Sequence, residues 1–276
     1  MRPLISFLTD FGADVAAAVC RGVILGICPE ATILDISHAV RKFAVADGAW
    51  RLVFALPYLP VGIHVAVVDP GVGTERRPIG LRVGRGDVLI GPDNGLLVPA
   101  AEALGGIVEA RLLSNPSLCR ETVSSTFHGR DIFAPMAAHL ATGVPFEAVG
   151  PTLPPEDLVR LPEPQPRVDR GGLETVVVFV DGFGNAYVAG TPEDLEAAIG
   201  PLTPGRPLRL RFGDPDGPTV RLTWQRTFGE VPRGALLLYR SSTGLLAASE
   251  NQGSIAERLG LAVGLPVRIE PLDAAS

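Results

Sequence analysis

Apolar residues follow two rhythms along this chain, and the rhythm changes near its middle. In the first half, short apolar runs such as "LISFL", "ATILDIS" and "IHVAVV" alternate with longer stretches of helical spacing, "VAAAVCRGVILGIC" and "VADGAWRLVFAL". A continuous apolar run of about four to eight residues fits a strand buried on both faces, whereas the longer stretches fit helices. Further on, "IGLRVGRGDVLIG" predicts a hairpin turning at Arg85 and Gly86, "GLLVPAAEALGG" a helix, "IVEARLL" a strand and "GRDIFAPMAAHLATG" a helix. Strands alternating with helices imply crossover units and a largely parallel sheet covered by helices. In such sheets ligands bind beyond the carboxyl ends of the strands.

From Pro151 to Arg170 the pattern breaks, with six prolines and little apolar periodicity. Proline at that density predicts an extended, semi-rigid connector. Beyond it the reading is almost all strand: "LETVVVFVDGFGNAYVAG", "PLRLRF", "TVRLTW", "ALLLYRSS" and "PVRIEP", with one short helix at "SIAERLG". Short strands between Gly, Pro and Asp turns predict a small barrel or sandwich. The expected organisation is therefore an α/β domain over 1–150, a connector over 151–170, and a smaller all-β, barrel-like domain over 171–276.

Composition narrows the choice of partner. With 276 residues, 46% of them hydrophobic, the chain can bury a sizeable core. A net charge of −6 argues against nucleic acid, which favours a clustered Lys/Arg surface. Lys42 is the one lysine, and every other cationic side chain of that kind is arginine. Cys20, Cys28 and Cys119 have no C-x-x-C spacing, and the first two fall in an apolar helical pattern, so buried thiols in a reducing compartment are expected. No apolar run approaches the ~18 residues of a membrane helix, nor does the N-terminus carry a signal-peptide pattern, so a cytoplasmic protein without a membrane partner is expected.

Four polar clusters fall at expected strand ends or helix starts: Asp10 after "ISFLT", Asp69 after "HVAVV", Asp93 and Asn94 in "GPDNG", and His128, Arg130 and Asp131 in "STFHGRDIF". Each has an ordinary structural explanation. Asp10 suits a helix cap, "PDNG" a turn, and Asp131 a first-turn charge. Jointly they gather at one rim of an open sheet, as a reactive site does. A divalent metal is the rival use of such acids, but H-x-H, D-x-D and H-E-x-x-H spacings are absent. Neither a phosphate loop ending in G-K-[ST] nor a G-x-S-x-G elbow occurs, and no cofactor is expected.

Five stretches in order, "FLTDFG", "VVDPGVGTERR", "GPDNGLL", "STFHGRDIFAP" and "VDGFGNAYV", resemble the S-adenosyl-L-methionine (SAM) hydroxide adenosyltransferase family, which is related to the SAM-dependent fluorinase and chlorinase. The resemblance implies conversion of SAM and water to adenosine and L-methionine. It places a polar trio at Asp69, Arg76 and His128, with Arg77 left structural. It places nucleoside contacts at Asp10 (ribose hydroxyls), Phe43 (an aromatic wall), Asn185, Ser242 and Asn251; Ser241 stands where family members often carry Asn. It implies a homotrimer whose sites join one subunit's N-terminal domain to the next subunit's C-terminal domain. A glycine turn at "DPGVG" is expected to wrap closely over the ligand. Two other uses of the pocket stay open: a halogenase, and a SAM or adenosine sensor without turnover. Against the first, Val72 and Gly129 stand where the fluorinase carries hydroxyl side chains.

Overall fold

The computed structural model describes residues 2–169 and 171–272. Arg170, the last residue of the expected connector, and residues 273–276 at the end of the expected β domain lie outside the described residues. The chain divides into one unit up to Leu161 and a second from Pro162 onward.

The first unit runs β1 (Leu4–Thr9), α1 (Ala16–Ile27), β2 (Thr32–Ser37), α2 (Val45–Ala55), β3 (Ile63–Val67), β4 (Pro78–Val83), β5 (Val88–Pro92), α3 (Val98–Ala103), β6 (Ile107–Leu112), α4 (Ala134–Ala141) and β7 (Thr152–Leu153). Its strand order is β2-β1-β3-β5-β4-β6-β7. The pairs β1–β2, β1–β3 and β3–β5 are parallel, while β4–β5, β4–β6 and β6–β7 are antiparallel. Five of the seven strands thus point the same way, and only β4 and β7 oppose them. Successive strand residues face opposite sides, so continuous apolar runs feed two cores. Ile5, Phe7, Val65 and Val67 join α1 and α4 in one, and Leu8, Ala66 and Val68 join α2 and α3 in the other. Cys20 and Cys28 are fully buried.

Residues 151–161, expected as part of an extended connector, instead pack onto this first unit. β7 pairs with β6, Leu158 and Leu161 join the second core, and Val159 N–H donates to Asp93 Oδ1 at 2.9 Å. The reason is the leucines spaced among the prolines, whose burial outweighs the stiffness of the intervening chain.

The second unit runs β8 (Arg167–Asp169), β9 (Gly172–Val180), β10 (Ala186–Val188), α5 (Pro192–Ile199), β11 (Pro207–Phe212), β12 (Thr219–Trp224), β13 (Leu236–Arg240), β14 (Leu246–Glu250), α6 (Ile255–Leu259) and β15 (Pro266–Pro271). Its sheet order is β10-β14-β13-β12-β11-β15-β9-β8, and a further β10–β9 pairing closes seven strands into a barrel-like ring. In β11, Leu208, Leu210 and Phe212 point into the core while Arg209 and Arg211 alternate with them. One helix in this unit corrects the sequence expectation of a single short one. α5 opens on "TPED", where the N-cap Thr191 and Asp194 form a reciprocal capping box with Pro192 at the first turn.

Candidate functional site

The strand order β2-β1-β3-β5 puts a topological switch point between β1 and β3, because the chain leaves β1 toward β2 on one side and β3 toward β5 on the other. Loops diverge there and leave a crevice at the carboxyl ends. Asp10 follows β1 and Asp69 lies just past β3 at this crevice. A cavity of about 320 Å³ opens there, lined by Asp10, Phe11, Lys42, Phe43, Val67, Asp69, Val72, Thr126, Phe127, His128 and Gly129.

The structure brings Asp69, Arg76 and His128 together across 59 residues of sequence. Arg76 Nε donates to Asp69 Oδ1 at 3.0 Å, and its Nη2 donates to Asp69 Oδ2 and to His128 Nδ1, the latter at 3.0 Å. The Arg76 and Asp69 side chains are 7% and 5% exposed, and the guanidinium also lies over the Phe133 ring at 5.5 Å. A guanidinium only donates, so His128 Nδ1 accepts and the neutral ring carries its proton on Nε2. Burial, reinforced by the Arg76 charge, pushes the His128 pKa below the ordinary histidine value of 6.5. One N–H group is left over: Arg76 Nη1 is buried without a protein hydrogen-bond partner among the described residues.

Two devices hold the trio. The loop 69–77 meets the 124–128 segment at Gly73, whose φ is 78° and where an added Cβ would stand 2.3 Å from the Ser125 carbonyl oxygen. The close approach expected of this glycine turn is therefore toward the loop that carries His128. Asp131, fully buried, accepts from the Ser124 N–H at 2.9 Å and from Arg130 Nε at 2.7 Å. Burial opposes its ionisation, yet the bonds from Arg130 and Ser124 prevail and hold its pKa low. Residues Gly129–Phe133 form a π turn between His128 and α4, a local widening that recurs at functional sites.

The remaining residues expected to contribute separate into groups. Asp10 accepts from the Phe43 backbone N–H at 2.8 Å, so the acid and the aromatic wall are neighbours, and Asp10 caps no helix. Asn94 and Asp93 are structural: Asn94 Nδ2 donates to the Val68 carbonyl, while Asp93 takes Arg77 at 2.9 Å and the Val159 N–H. In the second unit, Asn185 lies in a cleft of about 430 Å³ with Phe183, Phe228, Glu250, Gln252 and Gly253. Asn251 donates to the Val231 carbonyl at 2.8 Å, and Ser242 is exposed; neither lines that cleft. Sequence reading missed the aromatic lining, Phe11, Phe127, Phe183 and Phe228. The signal was present in three of them, each an aromatic within two residues of a polar motif residue in "TDFG", "TFHG" and "DGFG". Among the described residues no three His, Cys, Asp or Glu side chains gather as a metal would need, and no helix is long and apolar enough to cross a membrane.

An α/β unit with a charged trio at its switch point, followed by a barrel-like unit, defines a two-part small-molecule enzyme. The chain belongs to the SAM hydroxide adenosyltransferase family: residues 5–150 match its N-terminal domain and 175–268 its C-terminal domain. It is 46% identical over 268 residues to an (R)-S-adenosyl-L-methionine hydrolase of Salinispora tropica, covering 97% of each chain. It is 41% identical to the enzyme of that name from Thermus thermophilus, covering 98% of this chain and 100% of the relative. A fluorinase of an Actinoplanes species is 32% identical, over 97% of each chain. The crystal structure of an uncharacterized conserved protein from Thermotoga maritima superposes with a TM-score of 0.86 at 34% identity, covering 96% of this chain and 99% of that one.

Proposed function

We propose that this chain hydrolyses SAM to adenosine and L-methionine by in-line attack of water on C5′. The observation that carries this reading is the assembled Asp69–Arg76–His128 trio with a buried, unpartnered Arg76 Nη1. Likeness to relatives named SAM hydrolase supports it.

The chemistry asks little of an acid and much of a water. The sulfonium leaves C5′ as a neutral thioether, so no proton has to reach the leaving group. Bulk water, with a pKa of about 15.7, is a poor nucleophile unless held in line and relieved of a proton. Arg76 Nη1 and the His128 Nε2–H are donors suited to orient the water oxygen. His128 Nδ1 is already engaged by Arg76, so the ring has no free basic nitrogen. Asp69 retains lone pairs beyond those Arg76 takes and is the acceptor in this scheme. An Arg-paired carboxylate is a weak base, yet water forming its bond to C5′ becomes strongly acidic and needs no stronger one. Asp10 and Phe43 hold the ribose and base in this scheme, with Asn185, Ser242 and Asn251 adding nucleoside contacts from 171–276. A homotrimer, resting on the family likeness, and cytoplasmic residence, resting on buried thiols without disulfide spacing, complete the proposal.

Val72 and Gly129 line the cavity without a side-chain hydroxyl, which disfavours fluoride as the nucleophile, and the charged Asp69–Arg76–His128 trio disfavours chloride. The direct test is a product assay in water labelled with heavy oxygen, with and without chloride. Adenosine labelled at its 5′ oxygen together with unlabelled methionine, indifferent to chloride, is expected. Chlorinated adenosine would move the chain to the halogenases, and tight binding without turnover would make it a sensor.

The depressed pKa of His128 fixes the sign of a pH effect. Because the ring resists protonation, kcat/KM should hold its value as pH falls through about 6.5 and decline only further into acid. A pH–rate profile checks this; an acid limb centred above 6.5 would contradict the neutral-ring arrangement.

A further inference from the structure

Residues 38–44, between β2 and α2, run past the first unit's cavity as a strap tied at both ends, with a turn bond from the Ala44 N–H to the Arg41 carbonyl at 3.0 Å across its middle. At one end the Gly12 N–H donates to the His38 carbonyl at 2.7 Å, and Thr9 Oγ1 meets His38 Nδ1 at 2.8 Å. At the other, the Arg41 N–H donates to the buried Asp47 carboxylate at 3.2 Å and the Gly48 N–H to the Ala44 carbonyl at 3.1 Å. Between these ties Lys42 and Phe43 line the cavity yet remain exposed, Phe43 by 68%. Phe43 sits at φ 66°, a left-handed conformation that costs a bulky residue on the order of 1 kcal/mol or more. Its N–H is held there by Asp10 Oδ2.

That bond joins the two residues proposed for ribose and base. A carboxylate has about four acceptor sites, so Asp10 can take two hydroxyls while keeping the Phe43 N–H. Two hydroxyls on the carboxylate would fix its orientation and, through the 2.8 Å bond, the backbone of Phe43. A planar base below then gives the exposed ring a surface to cover, and aromatic burial is a large apolar gain. Without the hydroxyls Asp10 keeps its rotamer freedom, so the bond that anchors the strained Phe43 to it is less firmly set.

We infer that Asp10 couples recognition of a ribose vicinal diol to closure of the strap at residues 41–44, its middle, so that Phe43 closes over ribonucleosides and stays open over analogues lacking the diol. This rests on the reading that the cavity takes the adenosyl group. Phe43 is in this respect a positioning element governed by Asp10.

The sequence supplies a specific probe. Lys42 is the chain's one lysine, so a protease that cuts after lysine can cleave the full chain only at the Lys42–Phe43 bond, giving 1–42 and 43–276. Cleavage would be followed with adenosine and with 2′,3′-dideoxyadenosine, each at an occupancy set by calorimetry. Adenosine should slow cutting about tenfold or more, as when the open form falls to a tenth of the population, and the dideoxy analogue should protect little. In Phe43→Ala, bound adenosine should no longer protect. Equal protection by both ligands at equal occupancy overturns the inference, because the ligand then merely blocks the bond. Resistance to cutting without ligand also overturns it. Adenosine that binds without protecting sinks the coupling and leaves the proposed function standing; adenosine that does not bind sinks both.

Discussion

Arg76→Lys should lower kcat by about two to three orders of magnitude while leaving SAM affinity within a few-fold of its starting value, a loss comparable to removing one oriented donor from an oxyanion site. Lysine keeps the charge but lacks the planar fork. It cannot donate to both oxygens of Asp69 and to His128 Nδ1 while still presenting a further N–H, as Arg76 does. Because the three side chains act through shared hydrogen bonds, their effects should not add. His128→Ala in the Arg76→Lys background should cost far less than His128→Ala alone. Single-turnover rates and calorimetric affinities separate chemistry from binding. A lysine variant with nearly full kcat would show that the guanidinium has no part in the reaction. Thermal melts belong beside the kinetics, since Asp69 is 5% exposed and loses its paired partner geometry in the variant.

Periodicity carried most of the architecture. β1 and β3 were legible as short apolar runs, and β11 as strict alternation, because burial on two faces or one writes those patterns directly into the sequence. α5 is written in Thr191, Pro192 and Asp194, a capping box set between the strand-forming stretches of β10 and β11. Asp69, Arg76 and His128 were placed through the family's motifs, since the loop geometry that joins them has no local pattern. Gly73 shows why. Its backbone conformation could be expected of a glycine turn, but the carbonyl it lies against belongs to Ser125, 52 residues away. The link between Asp10 and Phe43 spans 33 residues and uses a backbone N–H, which no side-chain motif records.

The same blindness hid a second polar array inside the first unit. Ser6, His64 and Asp87 are at most 1% exposed and sit among apolar strand residues, separated in sequence by 58 and 23 positions. Ser6 Oγ lies 2.7 Å from His64 Nδ1, and His64 Nε2 lies 2.9 Å from Asp87 Oδ1. The geometry is that of a Ser-His-Asp relay, but its full burial, at the amino ends of β1, β3 and β5, makes it a structural tie. Asp87 also accepts from the Gly62 N–H and twice from Arg85, so His64 Nε2 donates to it and Ser6 donates to Nδ1.

Asp87→Ala should therefore be among the most destabilising single changes in the first unit, costing about 3–5 kcal/mol. It strands a backbone N–H, a ring N–H and a guanidinium at once. Ser6→Ala, which strands only His64 Nδ1, should cost about 1–3 kcal/mol. Burial, opposed by Asp87, holds the His64 pKa below 6.5, so below that pH the unfolded chain binds the proton that the folded chain refuses. Stability should then fall as pH drops from about 6.5, with a slope set by the difference in bound protons. Asp87, whose pKa is held low by Arg85 and His64 against the cost of burial, adds its own loss only in stronger acid, below the ordinary carboxylate value of 3.8. His64→Leu removes the first titration and leaves the second, so denaturant midpoints between pH 6.5 and 5 should flatten in that variant. An unchanged slope there would assign the acid sensitivity to other groups, half-buried His128 first among them.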